Sequence, residues 1–441
     1  MDETAAAAHD VVARRSRSAV WLLVLVVTSL YVCACIDRQI LPLLVEPIRL
    51  DFGATDAQMG LLIGLGFSLF YSCVSVPAGM LVDRMGRRGL LAVATGGWSL
   101  MTLLSGLAGS YWQLFLGRVG VGLAEGVIAP ASYSLIREKV PAEQRGRAFG
   151  VFSAAPYIGG SLALVVGGAL MGAAEKGAFD GVFALGRLHH WQIVLVILGL
   201  GSAPLVLLPA LLPRDIRVFG VDRKQRVTTF RDAFAHIGAH RGIYVPLIVY
   251  TTLSTLVVFA NGPWLPALVI RRFGLSVAEV GYTYGLVKIV AAPLGLLLVG
   301  FVLDRRAAAR RDFTAFGLCT SLLVLGTFVM VPFAPSAGAT FAIKGVGLLF
   351  SGAYAAIGAV VIARVTPAHL VGKITVIYLF FQSVLGAGLG PMLAGILAAH
   401  VLGGDPLAIG RGMALTTLAT GIPAVVAFVL MSRRLRAVDG A

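Results

Sequence analysis

The feature that most constrains this chain is a succession of long apolar stretches, each near the ~20 residues a helix needs to cross the hydrocarbon of a bilayer. Twelve can be marked, at 19–45, 58–82, 89–109, 112–136, 146–172, 190–212, 243–269, 278–303, 313–333, 339–363, 373–401 and 410–431. In hydrocarbon a peptide group finds no water to bond, so an isolated run of this length satisfies its backbone only as a helix. Strands of a transmembrane barrel would alternate apolar and polar residues over about ten positions, and no such segments occur in the sequence. Composition closes the soluble alternative. Of the 441 residues, 58% are hydrophobic and 13% charged, against about a quarter charged in an ordinary soluble domain. The expected fold class is all-α integral membrane, with twelve transmembrane helices. Arg14, Arg15 and Arg17 before the first stretch resemble the start of a signal peptide, but eleven further stretches follow, so a retained first span is expected.

Orientation follows from where the charge falls. With the N-terminus inside, the two tails and the even-to-odd connections hold twenty-six of the 36 Lys and Arg residues, and the opposite connections hold six. Four, Arg38, Arg118, Lys288 and Lys344, lie within or at the ends of spans. This bias toward one side predicts both termini in the cytoplasm, and the Ala-, Gly- and Arg-rich composition points to a multi-pass protein of a bacterial inner membrane. It also accounts for the net charge of +15 without a nucleic-acid partner. Anionic membrane lipids are the expected neighbours of such a surface. The chain divides into an N-tail 1–18, a six-helix bundle 19–212, a linker 213–242, a second bundle 243–431 and a C-tail 432–441. Within the linker, Phe230, Phe234 and Ile237 recur at helical spacing after Thr229, with Asp232 placed to complete a cap. A short amphipathic helix on the inner surface is predicted there.

The two bundles repeat a motif. Gly79-Met-Leu-Val-Asp83-Arg84-Met-Gly86-Arg87-Arg88 ends the second span, and Gly300-Phe-Val-Leu-Asp304-Arg305-Arg306 ends the eighth. Gly and Asp four residues apart share a helix face, so the glycine admits a neighbouring helix and the carboxylate can cap or pair with it. Further pieces are Arg118-x-x-x-Gly122, Ala155-Pro156-Tyr-Ile-Gly159-Gly160 and Gly386-Ala-Gly-Leu-Gly390-Pro391. Together these resemble the major facilitator superfamily over essentially the whole chain. Asp37-Arg38, Arg118 through Glu125, and Pro141-Ala-Glu-Gln-Arg145-Gly-Arg147 are similar to its spinster branch. The sequence departs from that branch at Leu123-Ala124-Glu125-Gly126, where Gly-Glu-Ala is expected. The resemblance implies two pseudo-symmetric six-helix bundles that rock against each other, a monomeric transporter, a lysolipid or other amphipathic anion as substrate, and a proton as coupling ion. It also implies that spans 1 and 4 line the cavity, so that Asp37, Arg118 and Glu125 meet near the centre. The copies of the repeated motif, Gly79, Asp83, Arg84, Gly86, Arg87, Arg88, Asp304 and Arg305, are the expected gating residues.

Ionisable residues inside spans are costly, and each is a functional candidate. Asp37 and Glu125 are the candidate proton-coupling carboxylates; Arg38 and Arg118 are their candidate counter-charges and anion ligands. Arg118 and Glu125 are two turns apart on one face, with Cα atoms about 10 Å apart at 1.5 Å per residue, so a third group is expected between them. Asp37 and Arg38 point about 100° apart around their helix, toward different partners. Removal from water favours a neutral carboxyl. Proton uptake would then free an arginine, whose forked geometry suits an anionic group. A permanent, non-titrating salt-bridge cluster is the competing expectation. Lys288 is a candidate for the other end of an anion, and Lys344 is expected to snorkel to the outer interface. Tyr133 and Tyr354 are the aromatic candidates for substrate contact, within a wider set that includes Phe67 and Tyr71. No cofactor and no metal site is expected: Cys33, Cys35, Cys73 and Cys319 lie in spans without ligand partners. Phosphate-cradling, nucleophile-elbow and zinc-protease motifs are missing, so an enzyme is not expected. A symporter of a small water-soluble organic anion is the alternative to the lipid substrate.

Overall fold

The computed structural model describes residues 3–82, 86–182, 185–212, 229–308, 312–403, 405 and 407–439. Twelve helical spans are long and apolar enough to cross a bilayer: Ser18–Phe52, Asp56–Ser75, Arg87–Gly106, Tyr111–Lys139, Ala142–Glu175 and His190–Leu211 in the first bundle, then Arg241–Phe273, Val277–Arg306, Thr314–Phe333, Ala337–Val365, Val371–Val401 and Ala408–Ala437. Each expected stretch has its helix, and no strand occurs among the described residues. Boundaries differ where a helix outruns its apolar run. Span 1 continues to Phe52 because Glu46, Arg49 and Asp51 end the hydrophobic stretch without ending the helix, and upstream the helix reaches back to Glu3.

Several spans are interrupted at mid-depth. Span 2 breaks at Gly64, span 4 at Gly126–Val127, span 7 at Gly262–Trp264 and span 10 at Ser351–Gly352. Span 11 contains two π-helical segments, Gln382–Gly388 and Leu397–Val401. Such irregular backbone is tolerated at membrane depth only where protein or a cavity surrounds it, and π turns gather at functional positions.

Glycine sets the packing around these breaks. A Cβ on Gly122 would lie 2.8 Å from the Phe67 carbonyl oxygen, and one on Gly126 would lie 2.8 Å from that of Tyr71. Span 4 therefore accepts span 2 at backbone contact, the close approach that small residues allow in membranes. Gly159 does the same for span 1, where a Cβ would meet the Val32 carbonyl at 2.6 Å.

The two halves meet along spans 2 and 11 and along spans 5 and 8. Gly60 abuts the Pro391 carbonyl, Gly64 the Gly388 carbonyl, Gly168 the backbone of Ala278 and Gly281, and Gly285 the Ser161 carbonyl. These contacts run from mid-depth to the end opposite the termini, called here the distal end. Arg271 seals that end. It donates through Nε to Glu46 at 2.6 Å and through both terminal nitrogens to Asp56 at 2.8 and 2.7 Å. Arg271 belongs to the C-terminal half, and both carboxylates to the N-terminal half. At the terminal end, Arg87 pairs with Glu138 at 2.5 Å and Arg436 with Asp312 at 3.7 Å, each within its own half.

The linker helix is Phe230–Ala239, opened by a capping box between Thr229 and Asp232. Phe230 and Ile237 pack on the C-terminal core, and Phe234 is exposed. The remainder of the linker, 213–228, lies outside the described residues.

Candidate functional site

Four charged side chains from two helices come together in the N-terminal half. Arg38 of span 1 donates to Glu125 of span 4 through Nη2 at 2.8 Å and Nε at 3.2 Å. Asp37, turned to another face of span 1, accepts a 2.6 Å hydrogen bond from Thr102 of span 3 and lies 4.0 Å from Arg118 Nη1. The pairing is thus crossed: each member of the span 1 dipeptide meets one member of the span 4 pair. The two-turn separation of Arg118 and Glu125 is bridged by the neighbouring helix rather than by direct contact. The ~100° angle between Asp37 and Arg38 is what lets both pairs form.

The two pairs differ in completeness. Arg38 is held on three sides, with its guanidinium carbon 4.5 Å from the ring centroids of both Phe67 and Tyr71. Those rings stand there because Gly122 and Gly126 bring span 2 against span 4. A cation over an aromatic face gains about 0.5–2 kcal/mol, so Arg38 has an alternative to its carboxylate. Arg118 is 2% exposed, yet its Nε and Nη1 have no hydrogen-bond partner among the described residues. Oδ1 of Asp37 and Oε1 of Glu125 also lack partners. A buried polar group without a partner costs about 1–3 kcal/mol, more when charged, so these atoms favour a further polar partner.

A cavity of about 190 Å³ lies beside it, lined by Arg38, Arg118, Phe67, Tyr71, Gln39 and Ser68 from the N-terminal half. Phe259, Pro263, Ser383 and Ala387 close it from the other half. Ser383 belongs to the π segment of span 11 and takes a 2.6 Å hydrogen bond from Ser72. The cavity has two cations, aromatic faces and hydroxyls from both halves.

Other candidates fall elsewhere. Tyr133 lies in an aromatic cluster with Phe149 and Phe152, 5.7 and 5.0 Å away, and is 45% exposed. Tyr354 lines a separate cavity of about 30 Å³ inside the C-terminal bundle, with Tyr250, Ser254 and Ser321. Lys288 is half-buried at the seam, donating to the Gly160 carbonyl at 3.3 Å. The outward snorkelling expected of Lys344 is not observed: it is fully buried, with Nζ 3.5 Å from the Phe328 ring centroid and no hydrogen-bond partner. The physical reason is span 10 itself, which begins at Ala337 and turns this position toward spans 8 and 9 rather than the interface. Of the gating motif, Asp83 and Arg84 lie outside the described residues. Gly79 falls in the helix of span 2, Gly86 caps span 3 and Arg88 is half-buried there. Arg87 ties span 3 to Ser134 and Glu138 of span 4. In the second copy Asp304 is exposed and Arg305 lies over the Phe301 ring. Sequence reasoning missed the Glu46–Arg271–Asp56 cluster and Thr102, because nothing local to those residues signals a partner more than two hundred, or sixty, positions away.

Residues 27–391 match the Major Facilitator Superfamily. An MFS-type efflux pump of Mycolicibacterium smegmatis is 28% identical over 96% of this chain and 94% of its own length. A gallate transporter of Pseudomonas putida is 24% identical over 92% and 90%. The fold is similar to that of a bacterial homologue of the human lysosomal transporter Spinster in an inward-facing, unoccupied conformation, with TM-score 0.82 and 26% identity, covering 94% of this chain and 97% of that one.

Proposed function

The chain belongs to the major facilitator superfamily as a spinster-like, multi-pass membrane transporter, and we propose that it carries a compact organic anion with an apolar or aromatic body, coupled to protons. The observation that carries this is Arg118: a buried guanidinium, short of hydrogen-bond partners, on the wall of a mid-membrane cavity. A carboxylate supplies the two acceptor oxygens that a guanidinium fork matches, and the proline and phenylalanine side of the cavity suits an apolar body.

Coupling runs through the crossed pairs. With Glu125 ionised, Arg38 is engaged by it and by two aromatic rings. Proton transfer to Glu125 removes its charge, and Arg38 then rests on the rings alone, free to turn toward the anion. Asp37 stands in the same relation to Arg118 at 4.0 Å. The substrate anion and the two carboxylates thus compete for the same two cations, and a proton on a carboxylate releases its arginine to the anion. Alternating access follows if the distal contacts, including the Arg271 cluster, open when the terminal side closes. The Lys and Arg bias supports the terminal side as cytoplasmic, and the bacterial transporters among its relatives support a bacterial inner membrane as the location.

A lysolipid is the substrate class that the spinster resemblance implies. The cavity favours a smaller solute: about 190 Å³ falls below the ~300–1,000 Å³ typical of pockets for drug-sized ligands, and an acyl chain would need still more room. The gallate relative supports an aromatic acid. Uptake of labelled benzoic acids and of a lysophospholipid into liposomes holding the purified chain, with and without a pH gradient, separates the two. Movement of the acids that Arg118→Gln abolishes supports the compact anion. Movement of the lysolipid alone would overturn it.

A further inference from the structure

Two ammonium groups of the C-terminal half have no part in that scheme. Lys288, near the middle of span 8, reaches across the seam to the Gly160 carbonyl of span 5 at 3.3 Å. A Cβ on Gly160 would lie 3.0 Å from Lys288 Nζ and 3.5 Å from Gln39 Cγ. The ammonium and Gln39 therefore flank one point, and Gln39 lines the same cavity as Arg38 and Arg118. Lys288 does not line that cavity in this conformation; it lies beside Gln39 of its wall. A single carbonyl at this distance uses one of three N–H donors, so Lys288 keeps donors in reserve.

Lys344 is packed behind it. Spans 8 and 10 touch at this level, where a Cβ on Gly345 would meet Val287 Cγ1 at 3.2 Å. Lys344 is 0% exposed, and its Nζ has an aromatic ring for company and no hydrogen-bond partner. No carboxylate lies within ion-pair distance of either lysine among the described residues. The N-terminal half balances two cations with two carboxylates. On the facing side of the C-terminal half, Lys288 has a backbone carbonyl and Lys344 an aromatic ring, with no carboxylate beside either among the described residues, and an ammonium without a counter-charge is costly in such surroundings until an anion arrives.

We propose that Lys288 is a second substrate anchor: it takes a second acceptor group, a carboxylate or a phenolic oxygen, of an anion whose first carboxylate sits on Arg118. The inference rests on the assignment of Arg118 as the carboxylate site. It adds that specificity is set by one contact from each half. A two-headed anion ties the halves together through its own body, in place of the bond from Lys288 to Gly160, whereas a one-headed anion leaves that bond intact.

The test uses the full chain in liposomes and three labelled probes of similar size: benzoate, 4-hydroxybenzoate and terephthalate. The wild type should favour the two-headed probes over benzoate by about tenfold or more in kcat/KM, the worth of one hydrogen bond to a charged group. Lys288→Met should bring that ratio to within about twofold of unity, mainly through KM, and Lys288→Arg should restore it. Because the readout is a ratio, a general fall in activity does not mimic the effect, and Lys288→Gln serves if the methionine variant does not fold. A wild type that does not discriminate, or a ratio unchanged by Lys288→Met, overturns the inference while leaving the anion assignment standing. Failure to move any of the three probes removes the aromatic-acid assignment and this inference with it.

Discussion

The two halves share an architecture and differ in chemistry. At mid-depth the N-terminal half holds Asp37, Arg38, Arg118 and Glu125 in crossed pairs, fixed by glycine-mediated contact between spans 2 and 4. At corresponding depth the C-terminal half holds Lys288 and Lys344 without carboxylates, together with Asn261, which donates to Thr417 at 2.6 Å. Two similar folds thus carry unlike sets of charged groups. Under the proposed coupling, the half with paired carboxylates supplies the groups that take up the proton, and the half with amines supplies further cations for the anion. In the proposed mechanism, a rocking motion shared by both halves takes its trigger from one of them.

The largest expected effect falls on the N-terminal side. Arg118→Gln should lower transport of an anionic probe by about 100-fold, the upper worth of a hydrogen bond to a charged group, while Arg118→Lys keeps part of it because a point charge cannot reproduce the fork. Equal loss from a neutral probe would show that Arg118 is structural.

Breaking one cation from each half sharpens the contrast. Arg38→Met leaves Glu125 buried and unpaired and should destabilise the chain by about 3–5 kcal/mol, as loss of one partner of a buried pair does. Lys344→Met leaves no orphaned charge, so melting in detergent should be unchanged or higher. If both variants melt alike, the two halves do not differ as described.

Between them lies the seal. Arg271→Met removes both cross-half pairs at the distal end, and a cysteine introduced beside the cavity should then be labelled from the distal side severalfold faster than in the parent. An unchanged rate would mean that the glycine contacts alone close that end.

The smallest expected effect concerns the linker helix. His236 contacts Tyr244 Oη at 3.1 Å, and Tyr244 in turn bonds Thr366 at 2.7 Å. Burial, then the neighbouring His240, hold His236 below its ordinary value, with His369 acting in the same direction and the bond to the Val365 backbone against it. Lys373 lies over the Phe230 ring at the start of the same helix. A histidine depressed in the folded state favours its neutral form there. The contact therefore keeps its full stability above the ordinary histidine value of about 6.5 and weakens as pH falls below it. Proteolysis of the linker should rise modestly between pH 7 and 5.5, and His236→Gln should remove that dependence.

Much of this was legible in the sequence, for physical reasons. Span length and apolarity are local, so all twelve helices could be read directly, and the capping box at Thr229 announced the linker helix. The charged quartet was legible because burial makes each ionisable residue conspicuous. Its crossed pairing was only half legible: the angle between Asp37 and Arg38 showed that they diverge, but not that Thr102 and the rings of span 2 complete the site. Lys344 shows the limit. Its position near a span end suggested an interfacial amine, whereas tilt and packing of span 10, which are tertiary properties, bury it. The Arg271 cluster joins residues that only the closed seam brings together.

The most direct test of the central claim is proton flux in liposomes carrying the purified chain and an entrapped pH dye, on adding an anionic substrate, for wild type and Glu125→Gln. The account expects a substrate-dependent dye response in the wild type that is lost in the variant, with substrate exchange between the two sides retained. A variant that still moves protons with substrate would contradict the assignment of coupling to the N-terminal pairs.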